Sequence, residues 1–349
     1  MKIIHVIFTF RTGGAETMLV DIMNRQVALG HDVTLLIIND GVDRALLATV
    51  SPQVRVVHWP RRPGTRRLLL AARLNAWVRL RRPDVVHLHD PKLPGLIRGL
   101  DSRLVYTIHA LGLSQRYLRP SVRQVAITDA VRDDALAARP DADISVISNG
   151  IDINAIRRRD QSRLPAPGAF RIVQSGRLDT ATKGQDILIR ALAILCREGF
   201  DGITVDFIGE GADRQALENL AADLGVARKV RFRGLMSRKQ VYDAYAAYDL
   251  MVHPSRFEGF GLIIAEAMAA GLPVAVPIGG GPYEVIDRGR LGETFPPEDP
   301  RACAEAIRRV IDHYPDALIR AELARSRASL GYSLNAMVDK YLHLYRSLV

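Results

Sequence analysis

An α/β protein built from two doubly wound parallel sheets is what three observations predict. Short apolar runs bounded by turn residues alternate with helix-length segments along the chain, the pattern of strand-helix-strand units. The 349 residues, 48% hydrophobic and 25% charged, are globular in composition and exceed what one hydrophobic core usually holds. The composition changes between Gln161 and Ala169, where Ser162-Arg163-Leu164-Pro165-Ala166-Pro167-Gly168 carries no periodicity. The expected division is a first domain over 1–161, a linker over 162–169, a second domain over 170–332 and a last helical stretch over 333–349. Two such domains would face each other across a central cleft lined by the carboxyl ends of their strands, where ligands of open α/β sheets gather.

Taken in order, Ile3 to Phe8 reads as a strand, followed by the loop Thr9 to Glu16 and a helix from about Glu16 to Leu29 closed by Gly30. Gly13 and Gly14 sit at that turn without a Gly-x-Gly-x-x-Gly pattern, which disfavours a nicotinamide cofactor; a tight turn into a helix explains them equally. Asp32–Ile38, Val54–His58 and Asp84–His89 are the next strands, each apolar enough to be buried on both faces. We expect His87 and His89, two apart, to point to opposite faces of their strand and so not to chelate one metal. Leu104–Ile108 ends in His109, and Val125–Thr128 and Ile144–Asp152 complete the first set. A strand-end histidine is as often a hydrogen-bonded polar residue as a functional one. Phe170–Val173, Val205–Ile208, Val230–Phe232, Leu250–His253 and Pro273–Val276 are the strands of the second set.

The segment after Leu250–His253 concentrates the chemistry. Pro254 to Gly261 is a loop, and Leu262 to Ala270 a helix stopped by Gly271. Gly259 and Gly261 let backbone approach a ligand, and the free amides of the helix start, with the positive end of its dipole, favour a phosphate. Glu258 beside such a site would be repelled unless it points at hydroxyls, which sugars and ribose supply. Upstream, Arg177 and Lys183 flank a turn; Arg offers a planar fork to a diphosphate and Lys a point charge. On residue type alone the two are more often an exposed surface pair.

Glu258-Gly259-Phe260-Gly261-Leu262, followed by Glu266-Ala267-Met268-Ala269-Ala270-Gly271-Leu272-Pro273-Val274, closely resembles the Glu-x7-Glu signature of retaining GT-B glycosyltransferases of family GT4. Gly176-Arg177-Leu178 and Lys183-Gly184-Gln185-Asp186 match the diphosphate-binding pair of that family, and Gly13-Gly14-Ala15-Glu16 its glycine loop. Thr107-Ile108-His109 matches its histidine beside the donor sugar, and Gly279-Gly280-Gly281-Pro282-Tyr283-Glu284 its glycine loop before a Glu. Ser148-Asn149-Gly150-Ile151-Asp152 resembles the segment leading to its interdomain linker, with Ser148 replacing a proline.

The resemblance spans nearly the whole chain and implies a GT-B fold of two Rossmann-like domains, with the last helix crossing back to the first. It implies transfer of a sugar from a nucleoside diphosphate donor, with UDP the expected nucleotide, to a glycan or lipid-linked acceptor hydroxyl, as in polysaccharide or lipopolysaccharide biosynthesis. Configuration would be retained and no metal required. Glu258 would bind donor-sugar hydroxyls and Glu266 the ribose, Arg177 and Lys183 would stabilise the leaving diphosphate, and His109 would lie near the reacting carbon. Gly13, Gly14, Met236, Gly259, Phe260, Gly261 and Leu262 would complete the nucleotide-sugar site. A phosphorylase or epimerase on the same fold, or a catalytically silent nucleotide-binding module, would keep much of this pattern.

The remaining features set bounds. Asp141-Ala142-Asp143 has the form of a metal-binding Asp-x-Asp, but acidic turns are common and the Arg177 and Lys183 cations already supply neutralisation, so we read it as structural. No apolar run of 18 residues and no signal peptide is present, and Cys196 and Cys303 suit a reducing compartment, so a cytoplasmic protein is expected. A net charge of +10 calls for an anionic partner. With 6% aromatics and no reading helix, nucleic acid is disfavoured. Arg61, Arg62, Arg66, Arg67, Arg73, Arg79, Arg81 and Arg82 fall within 22 residues free of Asp, Glu and Lys. On a helix from about Thr65 to Leu80, Leu69, Ala72, Ala76 and Leu80 share a face that would pack on the sheet or meet lipid. The arginines favour peripheral contact with an anionic membrane.

Overall fold

A computed structural model describes residues 1–62, 67–114, 116–117, 119–166 and 168–349. Two compact units share the chain: Met1–Gly150 with Leu334–Val349, and Ile151–Ser333. The first holds β1 (Lys2–Ile7), β2 (Asp32–Ile37), β3 (Arg55–His58), β4 (Val85–Leu88), β5 (Leu104–Ile108), β6 (Arg123–Ala126) and β7 (Ile144–Val146). The second holds β8 (Phe170–Ser175), β9 (Ile203–Ile208), β10 (Val230–Phe232), β11 (Leu250–Val252), β12 (Val274–Pro277) and β13 (Glu293–Phe295).

Strand order is β3-β2-β1-β4-β5-β6-β7 in one sheet and β10-β9-β8-β11-β12-β13 in the other, with parallel pairing. Each order reverses direction once, between β1 and β4 and between β8 and β11. At such a switch point the loops leaving two adjacent strands run to opposite sides and open a crevice at the carboxyl ends. This places the loop containing Gly13 and the residue His89 at one switch point, and the loops containing Arg177 and Glu258 at the other.

Central strands are buried on both faces because crossover helices cover the sheet on either side, which is why β4, β5, β11 and β12 are apolar throughout or nearly so. The edge strand β3 departs from the expected double burial: Arg55, Val56 and His58 are exposed, since only one neighbour, β2, pairs with it. The strand β13 was not expected; Glu-Thr-Phe is too short to stand out from turn sequence, and pairing with β12 makes it a strand. The helix Leu334–Arg346 belongs to the first unit, where Tyr341 and Tyr345 are buried.

The division of the chain corrects the expected boundary. It falls after Gly150, and the stretch 151–169, read as first-domain end and linker, packs within the second unit; Pro167 lies outside the described residues. Arg159 explains the placement. Its guanidinium is fully buried and donates to the carbonyls of Tyr248, Asp160 and Arg163 and to the Tyr314 hydroxyl, with Asp249 3.5 Å away. Arg163 pairs with the same carboxylate at 2.6 Å. A segment polar and rich in proline by composition is thus tied down by one buried cation. Arg159→Ala is expected to lower the unfolding free energy by about 3–5 kcal/mol, because the buried carbonyls and carboxylate lose their donor. Urea unfolding followed by fluorescence checks it; a loss below about 1 kcal/mol would show that the cation is not what holds this segment.

Candidate active site

In the second unit the site begins with a turn that only glycine permits. The one-turn helix Thr180–Lys183 ends at Gly184, whose φ of 65° is left-handed, and a Cβ there would lie 2.0 Å from the Pro254 carbonyl oxygen. Lys183 therefore closes a short helix and does not open one, and the helix that follows is Gln185–Arg197. The close approach at Gly184 sets the loop after β11 directly against Lys183. The backbone N–H groups of Arg256 and Phe257 donate to the Thr182 carbonyl, and the Arg256 guanidinium donates to the Thr180 carbonyl and to both oxygens of Asp186.

The result is a paired, partly sheltered charge. Lys183 Nζ lies 2.5 Å from Glu258 Oε2, and the ring of His253 lies 3.6 Å from the same oxygen. Burial alone would raise the Glu258 carboxyl, but His253 and the Lys183 charge outweigh it and hold its pKa at about 2. His253 is fully buried; desolvation lowers its pKa, more than the attraction of Glu258 restores, so it stands neutral beside the pair. This histidine was missed in the sequence, although it ends the strand that delivers Glu258.

Two glutamines, also missed, hold the backbone of the cationic residues. Gln174 Nε2 donates to the Lys183 carbonyl and Gln185 Nε2 to the Arg177 carbonyl, each at 2.8 Å. Arg177 itself is exposed and makes no side-chain hydrogen bond or ion pair among the described residues, so its fork is available to a ligand. The β8 and β9 loops are packed backbone to backbone, since a Cβ on Gly209 would meet the Gly176 oxygen at 2.0 Å and one on Gly211 the Leu178 oxygen at 2.1 Å. Beyond the next strand, Met236 is half-buried after Gly234, which bridges to Gly209.

Past Glu258 the chain turns into the helix Leu262–Ala270, with left-handed glycines at both ends, Gly261 at φ 85° and Gly271 at 73°. Phe260 packs its buried ring edge-on against Tyr332, 5.4 Å between centroids, which leaves only its backbone for a ligand. The glycine loop 279–281 closes on this turn: Gly281 N donates to the Glu258 carbonyl at 3.1 Å, and a Cβ on Gly281 would meet the Gly259 oxygen at 2.3 Å. Glu266, one turn into the helix, accepts from the Tyr242 and Tyr245 hydroxyls at 3.2 Å each, and Tyr245 also bonds Ser175 at 2.9 Å. Lys183, Glu258, Gly259 and Gly261 are thus brought together, with Arg177 on the neighbouring β8 loop and Glu266 behind, held by two tyrosines the sequence did not single out.

The remaining candidates lie in the first unit. Gly13 caps the helix Gly14–Ala28 in extended conformation, and the Glu16 carboxylate folds back to within 2.6 Å of where a Gly13 Cβ would be. His109 follows β5 and bonds His89 through Nε2 at 3.1 Å; burial lowers its pKa to about 4. His87 and His89 do not point to opposite faces. Their ring centroids are 4.2 Å apart, because residues two apart in a strand share a face. Nitrogens of His5, His87 and His89 lie within 4.8 Å of one another, close enough for a metal ion. Both ring nitrogens of each are already hydrogen-bonded, to Gln26 and His89, to Tyr345 and Thr107, and to His5 and His109, so a metal would have to displace them. Asp141 is held by two bonds from Arg139, and Asp143 by Arg123.

Comparison with known proteins follows the same division. Residues 156–327 match the sequence profile of glycosyl transferases group 1, and residues 12–155 that of glycosyltransferase family 4. D-inositol 3-phosphate glycosyltransferase 1 of Catenulispora acidiphila is 32% identical over 307 residues, 76% of this chain and 72% of that protein. The lipopolysaccharide core biosynthesis glycosyltransferase LpsE of Rhizobium meliloti is 28% identical over 353 residues, 99% of each. Among solved structures, Anabaena Alr3699/HepE in complex with UDP superposes with a TM-score of 0.83 and 25% identity, over 99% of this chain and 100% of that one.

The Lys183 and Glu258 pairing has a measurable consequence. A carboxyl held at about 2 in the folded chain and near 4.5 when unfolded contributes stability that is fully present above 4.5 and is lost as pH falls toward 2. Glu258→Gln should therefore flatten the acid side of the stability curve across that window, read by chemical denaturation at a series of pH values. An acid limb identical to that of the parent protein would show that Glu258 is not held ionised.

Proposed function

The chain belongs to the glycosyl transferases group 1 family and is a GT4-type glycosyltransferase of GT-B fold, and from that premise we propose a retaining, metal-independent transfer from a UDP sugar. The observation that carries this reading is the Lys183 and Glu258 pair at the switch point of the second sheet. It sets a cation and a carboxylate acceptor side by side, which suits a ligand carrying a diphosphate next to hydroxyls. Arg177 and Lys183 neutralise the diphosphate, Glu258 accepts from sugar hydroxyls, and Glu266, oriented by Tyr242 and Tyr245, accepts from the ribose. The amides of Gly259, Gly261 and Leu262 and the loop at Met236 complete the contacts. His109 meets the donor sugar. UDP as the nucleotide is supported by its presence in the Anabaena structure.

In the reaction, the bond between the sugar's anomeric carbon and the diphosphate oxygen breaks, and the electron pair leaves with the phosphate. The acceptor oxygen bonds the same face of that carbon, and its proton passes to the departing phosphate oxygen. The growing charge on the leaving group is what the two cations stabilise, so no divalent ion is assigned a step. The acceptor class is a glycan or lipid-linked hydroxyl, in cell-envelope polysaccharide assembly; one relative is named for lipopolysaccharide core and another for inositol 3-phosphate. With a donor identified, Arg177→Ala and Lys183→Ala should each lose about 10²–10³ in kcat, with folding intact. Chelation by EDTA should leave turnover in place. Wild-type turnover in both variants, or full loss in EDTA reversed by Mn²⁺, would overturn the assignment.

The acceptor reading extends to where the protein acts. Along the helix Arg67–Arg81, Leu70, Leu74 and Val78 face the core, whereas Leu69, Ala72, Ala76 and Leu80 do not pack on the sheet. Leu68, Leu69 and Leu80 are 86%, 60% and 82% exposed, among exposed Arg62, Arg73, Arg79 and Arg82. Arg73 and Arg81 lie over the rings of Trp59 and Trp77, at 4.2 and 3.9 Å. Thr65 and Arg66 lie outside the described residues. No helix among the described residues is long and apolar enough to cross a membrane. An exposed apolar face framed by arginines fits the boundary of an anionic bilayer, each cation adding about 1 kcal/mol there, and we place the enzyme peripherally on the cytoplasmic leaflet. Co-sedimentation with vesicles should be stronger on anionic than on neutral lipid and should fall at high salt. It should fall again when Leu68, Leu69 and Leu80 become Ser; equal binding to both vesicle types would rule the surface out.

A further inference from the structure

At the end of the first sheet away from its switch-point crevice, the helix Arg67–Arg81 closes on a cavity of about 750 Å³ lined by Lys2, Ala76, Arg79, Leu80, Arg81 and Arg82. Lys2 opens β1 and Arg82 leads into β4, its parallel neighbour, so the cavity lies at the amino ends of those strands. Four of its six lining residues are cationic and none is acidic. Asp84, the nearest acid along the chain, does not line it and accepts from the Lys2 backbone amide at 2.7 Å. None of the four cations has an ion pair among the described residues, so their mutual repulsion meets no counter-charge there.

Two of the cations are held in place. Arg79 Nη2 donates to the Arg98 carbonyl at 2.9 Å, and the Arg81 guanidinium lies over the Trp77 ring at 3.9 Å, its Nε enclosed and without a hydrogen-bond partner. Arg82 is exposed and takes a left-handed φ of 48°, a conformation that suits glycine and strains any longer side chain. Basic residues in the last turn are favoured by the carbonyl end of a helix, which accounts for Arg79 and Arg81. It accounts neither for Lys2, which is on a strand, nor for an arginine where glycine would relieve the backbone. Strain kept at one position points to a use for its side chain. A phosphate, with several acceptor oxygens and a delocalised negative charge, is the group that arginine forks and a lysine around one recess neutralise. Leu80, 82% exposed, and Ala76 add an apolar wall beside them.

We propose that this cavity binds the phosphate of an anionic lipid headgroup, with Lys2, Arg79, Arg81 and Arg82 around the phosphate and Leu80 against the apolar part of the same molecule. The site rests on the peripheral membrane reading of this helix and names what its carboxyl end holds. It differs from diffuse attraction between a basic surface and a charged bilayer in three ways. It saturates, it needs Arg82 in particular, and it takes a phosphate and an apolar chain in one ligand.

Trp59 and Trp77 are the two tryptophans of the chain and pack edge to face at 5.6 Å, with Arg81 over Trp77, so tryptophan emission reports on this cavity. Dihexanoyl phosphatidic acid, soluble as single molecules, is titrated into the full chain. The expected result is a saturable change in emission, absent with zwitterionic dihexanoyl phosphatidylcholine and about tenfold weaker with inorganic phosphate, which has no apolar part to bury. Arg82→Gly and Lys2→Gln should each lose about tenfold in affinity, the value of one charge-assisted hydrogen bond. Arg82→Gly should also keep a Tm at or above that of the parent protein, because glycine relieves the left-handed backbone. Arg290→Gln, which removes the same charge from an exposed position in the second unit, should bind as the parent does. Parent-level affinity in Arg82→Gly or Lys2→Gln, an equal loss in Arg290→Gln, or inorganic phosphate binding as tightly as the lipid would overturn the proposal. If the parent protein sediments with anionic vesicles yet shows no saturable change in emission, the site falls and the peripheral reading stands; if it does neither, both fall.

Discussion

A carboxylate that is largely withdrawn from water stays ionised at the end of β11 only because a lysine and a histidine are pressed against it. That constraint organises the second unit. Gly184 must be left-handed for the β8 loop to reach Pro254, Gln174 must hold the Lys183 carbonyl, and Arg256 must clamp the loop to Asp186. Without these the ammonium and the carboxylate would each be solvated separately. With them, the pair is a preformed polar site at the position where parallel-sheet topology opens a crevice.

The two units use one topology for two kinds of chemistry. At the switch point of the second sheet, opposite charges are paired. At that of the first, uncharged imidazoles are linked in a row. The difference follows from burial. Glu258 keeps its charge because opposite charge is within reach, whereas His5, His89 and His109 have only one another and an amide, so desolvation keeps them neutral.

Much of this was legible in the chain itself. Parallel strands buried on both faces leave unbroken apolar runs, and Gly261 and Gly271, both left-handed, bracket the helix Leu262–Ala270 at the residues expected. The Glu258 and Lys183 motifs stood out through their resemblance to the family's signature segments. What escaped depends on contacts between distant segments. The stretch 162–169 looks like a linker by composition and 151–161 like the end of the first domain, and only the partners of Arg159, up to Tyr314, show that the segment packs in the second unit. Tyr242, Tyr245, Gln174 and Gln185 are ordinary residues until the fold brings the tyrosines to the Glu266 carboxylate and the glutamines to the backbone of Lys183 and Arg177. His87 and His89 were assigned to opposite faces against the two-residue period of a strand, and the row of imidazoles was hidden by that error.

The central claim is that the Lys183 and Glu258 pair is a nucleotide-sugar site ready without metal. Calorimetric titration of UDP in EDTA, on the parent protein and on Lys183→Met, tests it most directly. The account predicts saturable UDP binding to the parent and a loss of about ten- to a hundredfold in the variant, the value of one charge-assisted bond. Equal affinity in the two proteins, or binding to the parent only when a divalent ion is supplied, would contradict it.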